Sequence, residues 1–392
     1  MIQELNLEPR LKAIMAQEYP RFSDAEYARR HRALGEVMAK AGVDHLLIVT
    51  DHRTGNAPQW VTGWPGTVEA YVIFKPGERM TMFMEWFNHF PLAQKIAHGT
   101  DVHWGEHKGI AKTIEELKRR GAKRVGLMGP LVIGKYRQLA GAFDMVELDA
   151  EYVRLRMIKS AEEIDWLRIG AALSDAGLAA LMRETRPGRS ERELGNEVER
   201  AYVGHGGTTM IHFLGITSMA NPHIFVPPQH TSPRQVQAGD VVFCELSAYW
   251  WDYPGQILRT FTVAAEPTPL YRDLYATAEA AFDAVTKVVR HGATMEEILD
   301  ATGIIERQGF TVCDDLMHGF GGGYFQPIIG TKSRMAGPLP KMTLEENMTV
   351  VVQPNVITRE KTAGVQVGEL IRVTKNGFER LHGARRGLFR VG

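Results

Sequence analysis

The chain has 392 residues, 44% apolar and 23% charged, the balance of an ordinary globular protein. Lys+Arg and Asp+Glu each number 46, so the net charge is zero with neutral histidine, and neither nucleic acid nor an anionic membrane is expected as a partner held by bulk charge. Two cysteines, Cys244 and Cys313, are too few for a disulfide framework or a cysteine zinc site, and no apolar run nears the ~20 residues of a membrane span.

The N-terminal MIQELNLEPRLKAIMAQEYP is mixed and acidic, without signal-peptide character, so a cytoplasmic location is expected. Ser23 and Glu26 predict a capping box opening a helix to about Lys40, followed by Gly42 and the strand HLLIVT. AYVIFKPGERMTMFME predicts a hairpin turning at Pro76-Gly77, and IAKTIEELKRRGAKRVGLMG a helix, a glycine stop and a strand. Residues 20 to 150 thus alternate helix and strand, and residues 1–153 are expected to form an α/β domain.

From residue 154 to 392 the pattern changes. Ser160 with Glu163, Ser190 with Glu193 and Thr294 with Glu297 predict three capped helices, the last stopping at Gly309. A further helix is predicted from about Pro269 to Arg290. Between them lie the strand-like runs DVVFCEL, QILRTFTVA, MTVVVQPNV and GELIRVT. The second domain therefore reads as α+β, an antiparallel sheet covered by paired helices. Residues 217 to 235 form a long Pro-rich loop, a length that in compact domains often carries function.

Several residues stand out chemically. Glu245 is a single acid in an apolar strand; it is either paired with Arg259 or a buried carboxylate with a raised pKa, suited to act as base or nucleophile. His318 precedes a glycine-rich run, and histidine is the proton carrier of neutral pH. Gln353 and Glu369 end or open β runs and are candidate substrate contacts, as are Gln256, Arg259, Tyr253 and Trp64. His223 and His230 are stiffened by neighbouring prolines and are candidate catalytic bases, while His212 reads as an ordinary strand residue.

RLRMIKSAEEIDWLRIGAALSDAG, GDVVFCELSAYWWDYPGQILRTFTV, HGFGG, VVVQPNV and AGVQVGELIRVT, in this order, resemble the catalytic domain of the creatinase and aminopeptidase P family. The resemblance implies the pita-bread fold behind a smaller N-terminal creatinase-like domain. The family's peptidases hold two metal ions with two Asp, one His and two Glu. Those positions correspond here to Glu245, Gln256, His318, Gln353 and Gly368. Neutral amides and a glycine cannot offset about four positive charges, so no catalytic metal and no other cofactor is expected. Glu369 adjoins Gly368, but neighbours on a strand face opposite sides unless a bulge re-aims one.

A metal-free site of this fold is similar to those of creatinase and ectoine hydrolase. The resemblance then implies hydrolysis of a C–N bond in a small non-peptide compound, with Glu245 as nucleophile or base and His318 as acid–base partner. It also implies a homodimer in which the partner's N-terminal domain reaches the site, with Trp64 as the contact. The alternatives are a lyase acting by proton abstraction, an inactive binding domain and, last, a dinuclear metallopeptidase.

Overall fold

The computed structural model describes residues 4–52, 54–66 and 68–392; Met1, Ile2, Gln3, Arg53 and Thr67 lie outside the described residues. The chain divides into two compact units: Ala16–Arg156, and Met157–Gly392 together with the described residues up to Met15. The helix Pro9–Met15 packs on the helix Ala161–Glu184, with Arg10 paired to Asp165. The opening segment therefore belongs with the C-terminal unit.

In the unit Ala16–Arg156 six strands form one sheet: β1 His45–Thr50, β2 Ala70–Phe74, β3 Met80–Met84, β4 Thr100–Trp104, β5 Arg124–Met128 and β6 Asp144–Glu147. Their order is β4-β3-β2-β1-β5-β6. β1 pairs antiparallel with β2 and parallel with β5, and every β1 residue is buried, which accounts for the unbroken apolar run HLLIVT. The helix Asp24–Ala41 starts where Ser23 Oγ accepts from Glu26 N at 3.2 Å and stops at Gly42. Pro76 and Gly77 lie between β2 and β3, as their turn chemistry requires.

The C-terminal unit carries β7 Thr208–Ser218, β8 Asp240–Trp250, β9 Tyr253–Val263, β10 Thr311–Val312, β11 Met317–Phe320, β12 Tyr324–Ile329, β13 Thr349–Val352, β14 Val356–Ile357, β15 Gly368–Val373, β16 Phe378–Arg380 and β17 Phe389–Val391. The main sheet runs β12-β11-β13-β15-β9-β8-β7, with β16 on β15 and β17 on β9. All these pairings are antiparallel except β17 with β9. The helices Ala161–Glu184, Glu191–Val203, Pro269–Val288, Met295–Ala301 and Ile304–Arg307 complete the unit, and the capping boxes at Ser160, Ser190 and Thr294 are all fully formed.

Two details depart from the sequence reading. The helix opened by Thr294 breaks at Thr302-Gly303, whose N–H groups turn back to Leu299 O and Asp300 O. The Gly-rich run after His318, for which no strand was predicted, forms the tip of a hairpin between β11 and β12.

The β8–β9 hairpin is the frame of the unit. Its turn is Trp251-Asp252, both at positive φ (47° and 75°), a two-residue turn whose twist matches the strands. The helix Ala161–Glu184 lies close against it: a Cβ on Gly255 would stand 2.2 Å from Ala171 Cα, so only glycine fits. Ser174 Oγ fastens the contact, donating to Gly255 O and accepting from Ala248 N at 2.9 Å.

Candidate active site

Strand alternation decides which side chains meet. In the β8–β9 register Glu245 faces Leu258 and Ser247 faces Gln256, so Glu245 and Gln256 are diagonal neighbours on one face. Gly368 pairs with Leu258 and shares that face, whereas Glu369 pairs with Ile257 and points to the other. β11 supplies His318 to the same face, and Gln353 follows β13, its N–H held by Leu316 O at 2.7 Å.

Glu245, Gln256, His318 and Gln353 line one cavity of about 400 Å3. Phe213, Cys313, Asp314, Phe320, Tyr324 and Gln366 complete its wall, and the Pro-rich loop adds Val226, Pro227 and Gln229. A hollow of about 490 Å3 lies elsewhere, beside Arg168 and His382. Its His382 is tied to Asp175 at 2.8 Å and its Arg168 to Asp165 and Glu379, so those groups are already engaged in structural pairs.

A chain of amides runs through the smaller cavity. Gln256 Nε2 donates to Glu245 Oε1 at 2.9 Å and to Gln353 Oε1 at 3.1 Å. Gln353 Nε2 donates to Asp315 O at 3.2 Å and to Asp314 Oδ2 at 3.4 Å. The backbone carbonyl of Asp315 can only accept, which fixes the direction of the Gln353 amide and, through its oxygen, that of Gln256.

Among the described residues no cationic side chain lines this wall, and that shapes its electrostatics. Burial pushes the Glu245 carboxyl up to about 8, and the negative charge of Asp314 adds to the effect. Asp314 is itself raised by burial. Burial lowers His318 to about 4, against the opposing pull of the Gly319 carbonyl, which accepts from Nδ1 at 3.3 Å. A carbonyl only accepts, so in the neutral ring Nδ1 carries the proton and Nε2 a lone pair. The His318 ring is stacked on Tyr324, centroids 4.0 Å apart, with Phe320 edge-on at 5.5 Å. At neutral pH the cavity therefore holds a largely protonated carboxyl and an uncharged imidazole, a donor and an acceptor for protons.

The other sequence candidates lie elsewhere. Arg259, expected to touch substrate, is turned to the opposite face, where it pairs with Glu369 at 2.6 Å and donates to Gly368 O and Leu258 O at 2.7 and 2.9 Å. Glu369, fully buried, also takes Arg380, so both groups build the sheet and neither meets the cavity. Tyr253 stands at the hairpin tip, its hydroxyl donating to Glu163 at 2.9 Å. His223 and His230 are exposed, His223 bonded to Thr217 at 3.0 Å, and neither lines the cavity. Trp64 lies in the apolar core of the unit Ala16–Arg156, 3% exposed.

Sequence reasoning passed over Asp314, Tyr324 and Gln366. Asp314 and Asp315 form a doubled acid just ahead of His318, and Gln366 stands two residues before Gly368, hence on its face; both were readable signals.

The family model for "Metallopeptidase family M24" matches residues 165–375, more than half of the chain. The chain belongs to this family of hydrolases. Among curated relatives it is 27% identical over 354 residues to the uncharacterized peptidase YqhT of Bacillus subtilis, covering 88% of this chain and 95% of that one. It is 23% identical over 364 residues to the Xaa-Pro dipeptidase of Pyrococcus horikoshii, covering 90% and 96%. Among solved structures the Xaa-Pro dipeptidase from Bacillus anthracis superposes with a TM-score of 0.80 at 23% identity, over 93% of this chain and 100% of that one. The fold is accordingly the family's pita-bread architecture, a curled antiparallel sheet with helices. No helix among the described residues is long and apolar enough to cross a membrane.

The family's description implies a metal, and the residues present here do not fit one. Gln256 turns its amide hydrogens toward Glu245 and Gln353, the Gln353 oxygen is taken up by Gln256, and neither neutral amide supplies the negative charge a metal pair needs. At Gly368 a Cβ would stand 2.4 Å from Val352 O and 2.8 Å from Gln353 Cα, so no side chain fits without moving the strand. Among the described residues no group of three or more His, Cys, Asp or Glu could hold a metal ion.

Proposed function

We propose that this M24 member hydrolyses a C–N bond in a small non-peptide compound without a metal, with Glu245 and His318 as its acid–base pair. The observation that carries the reading is the amide chain from Glu245 through Gln256 and Gln353 to Asp314, which takes up the polar groups of the cavity with hydrogen bonds where a metal site needs free lone pairs. The cavity's volume suits a small molecule.

In this reading His318 Nε2 accepts a proton from the attacking water. The Glu245 carboxyl donates its proton to the departing nitrogen, and the proton on His318 then returns to Glu245, which closes the cycle with atoms balanced. The alternative assignment of Glu245 as base or nucleophile uses the ionised carboxylate instead. The pH profile separates the two: kcat/KM falls above about pH 8 when Glu245 is the acid and rises toward about 8 when its carboxylate acts.

The test is an assay of chelator-treated protein on a panel of amidines, amides and cyclic amine derivatives in 18O-labelled water. Glu245→Gln and His318→Ala are each expected to lower kcat/KM by ~10²–10⁴-fold. Full activity in both variants, or a product without the label, overturns the reading. One observation favours a second reading, metal-assisted peptide hydrolysis: the relatives named Xaa-Pro dipeptidase. Bound metal in the purified protein together with metal-dependent cleavage of a prolyl dipeptide would select it.

A further inference from the structure

The same cavity is asymmetric in what it offers a ligand. The donors of its two central amides are already spent: Gln256 Nε2 on Glu245 and Gln353, Gln353 Nε2 on Asp314 and Asp315 O. Its acceptors are not. Asp314 Oδ1 takes Asp315 N at 2.8 Å, Oδ2 receives the long 3.4 Å bond from Gln353, and the Asn355 amide stands near, which still falls short of the about four acceptor positions of a carboxylate. Two carboxyl groups, Glu245 and Asp314, share the wall; the nearby Arg334, which pairs with Asp315 at 3.7 Å and favours the ionised form of Asp314, does not itself line the cavity.

A second, independent observation points the same way. Gln366 is 1% exposed and lines this cavity, and its Oε1 is buried with no hydrogen-bond partner. Its backbone is fixed at both ends by Thr260 Oγ1, which accepts from Gln366 N at 2.8 Å and donates to Gln366 O at 2.9 Å. A buried carbonyl left unpaired is a cost to folding that a ligand N–H would remove. Phe213, Phe320 and Tyr324 add aromatic faces, which attract cations.

We propose that Asp314 is the anionic anchor of this cavity for a small planar organic cation with at least two N–H donors, an amidinium or guanidinium group, one N–H of which is taken by Gln366 Oε1. The proposal rests on the hydrolase reading in one respect, that the bound cation is the substrate's head group. A carboxylate ligand would meet two acids and an unpartnered carbonyl and be repelled.

Calorimetric titration of the full chain with benzamidinium, benzamide and benzoate tests it, because the three share shape and differ in charge. Benzamidinium is expected to bind at least tenfold more tightly than benzamide, and benzoate not at all. Asp314→Asn is expected to weaken benzamidinium binding ~10–100-fold, in keeping with loss of a charge-assisted hydrogen bond. Gln366→Glu is expected to tighten it, a gain that misfolding cannot imitate. Benzoate or benzamide binding as tightly as benzamidinium, or Asp314→Asn leaving benzamidinium binding unchanged, overturns the proposal. The two readings fail separately: hydrolysis of neutral amides with no preference for the cation removes the anchor and keeps the hydrolase, while Asp314-dependent cation binding with no amidine turnover keeps the anchor and removes the hydrolase.

Discussion

Glu245 and Glu369 are buried acids on opposite faces of one sheet, 8% and 0% exposed, yet their charge states are driven in opposite directions. Glu369 faces Arg259 and Arg380, and their hydrogen bonds and charge hold its carboxyl below the ordinary range although burial opposes them. Glu245 has a glutamine and an acid for neighbours, and burial pushes it up to about 8. Burial raises both carboxyls; it prevails at Glu245, which has no cationic partner, and is outweighed at Glu369, which has two arginines. One face of the sheet has an acid locked as a structural anion, and the other has an acid poised to exchange a proton near neutral pH.

The largest effect is expected from removing that partner. Arg259→Met leaves Glu369 buried with Arg380 alone, whose side chain is 40% exposed, and frees Gly368 O and Leu258 O. Breaking a buried pair by deleting one member costs about 3–5 kcal/mol, read as a fall in the denaturant midpoint. The double variant Arg259→Met with Glu369→Leu is expected to recover much of that loss, since no charge is then stranded. A single variant as stable as the parent would mean Arg380 alone sets the state of Glu369, and the contrast between the faces would lose its basis.

Next in size is the pH dependence of stability, which has opposite signs for the two acids. The folded chain holds a proton on Glu245 up to about pH 8, whereas the unfolded chain loses it near an ordinary carboxylate pKa. This group's contribution is therefore fully present below the unfolded pKa and is lost as pH rises toward 8. Glu369 is depressed, so its contribution is present above the unfolded pKa and lost as pH falls through its folded value. Urea unfolding of the parent and Glu245→Gln at pH 5, 7 and 9 checks the sign: the parent is expected to lose more stability between pH 5 and 9 than the variant. Parallel curves would mean that Glu245 is not desolvated.

Much of this contrast was open to reading in the sequence. Gln256 and Arg259 are three apart on one strand, so alternation alone assigns them to opposite faces, and the same rule separates Gly368 from Glu369. The capping boxes at Ser160, Ser190 and Thr294 likewise follow from local chemistry, which is why they were legible. What local rules cannot supply is the closure of contacts across long stretches of chain. Gln353 meets Gln256 97 residues away, and only the order of strands in the sheet brings them together. Asp314 was readable as a doubled acid ahead of His318 but its place beside Glu245 was not, and the Gly-rich run after His318 concealed a hairpin because glycine weakens every strand signal.

The smallest expected effect tests how the two acids of the cavity share their charge. Asp314 is the second cause of the raised Glu245 pKa, behind burial. Asp314→Asn removes that negative charge while keeping a group of similar shape, so the ionised form of Glu245 becomes easier to reach and its pKa moves down. Burial is unchanged, so the value is expected to stay above the ordinary carboxylate range. A 13C-detected titration of the Glu245 carboxyl in parent and variant reads the shift directly. A fall all the way to an ordinary carboxylate pKa would make Asp314, not burial, the main cause. No movement would mean that the two carboxyls do not feel each other across the cavity. A partial fall is the expected result: Glu245 then owes its proton first to the apolar strands around it and second to an acid from the β11 hairpin, and a cation bound at Asp314 would lower the Glu245 pKa in the same direction as the mutation.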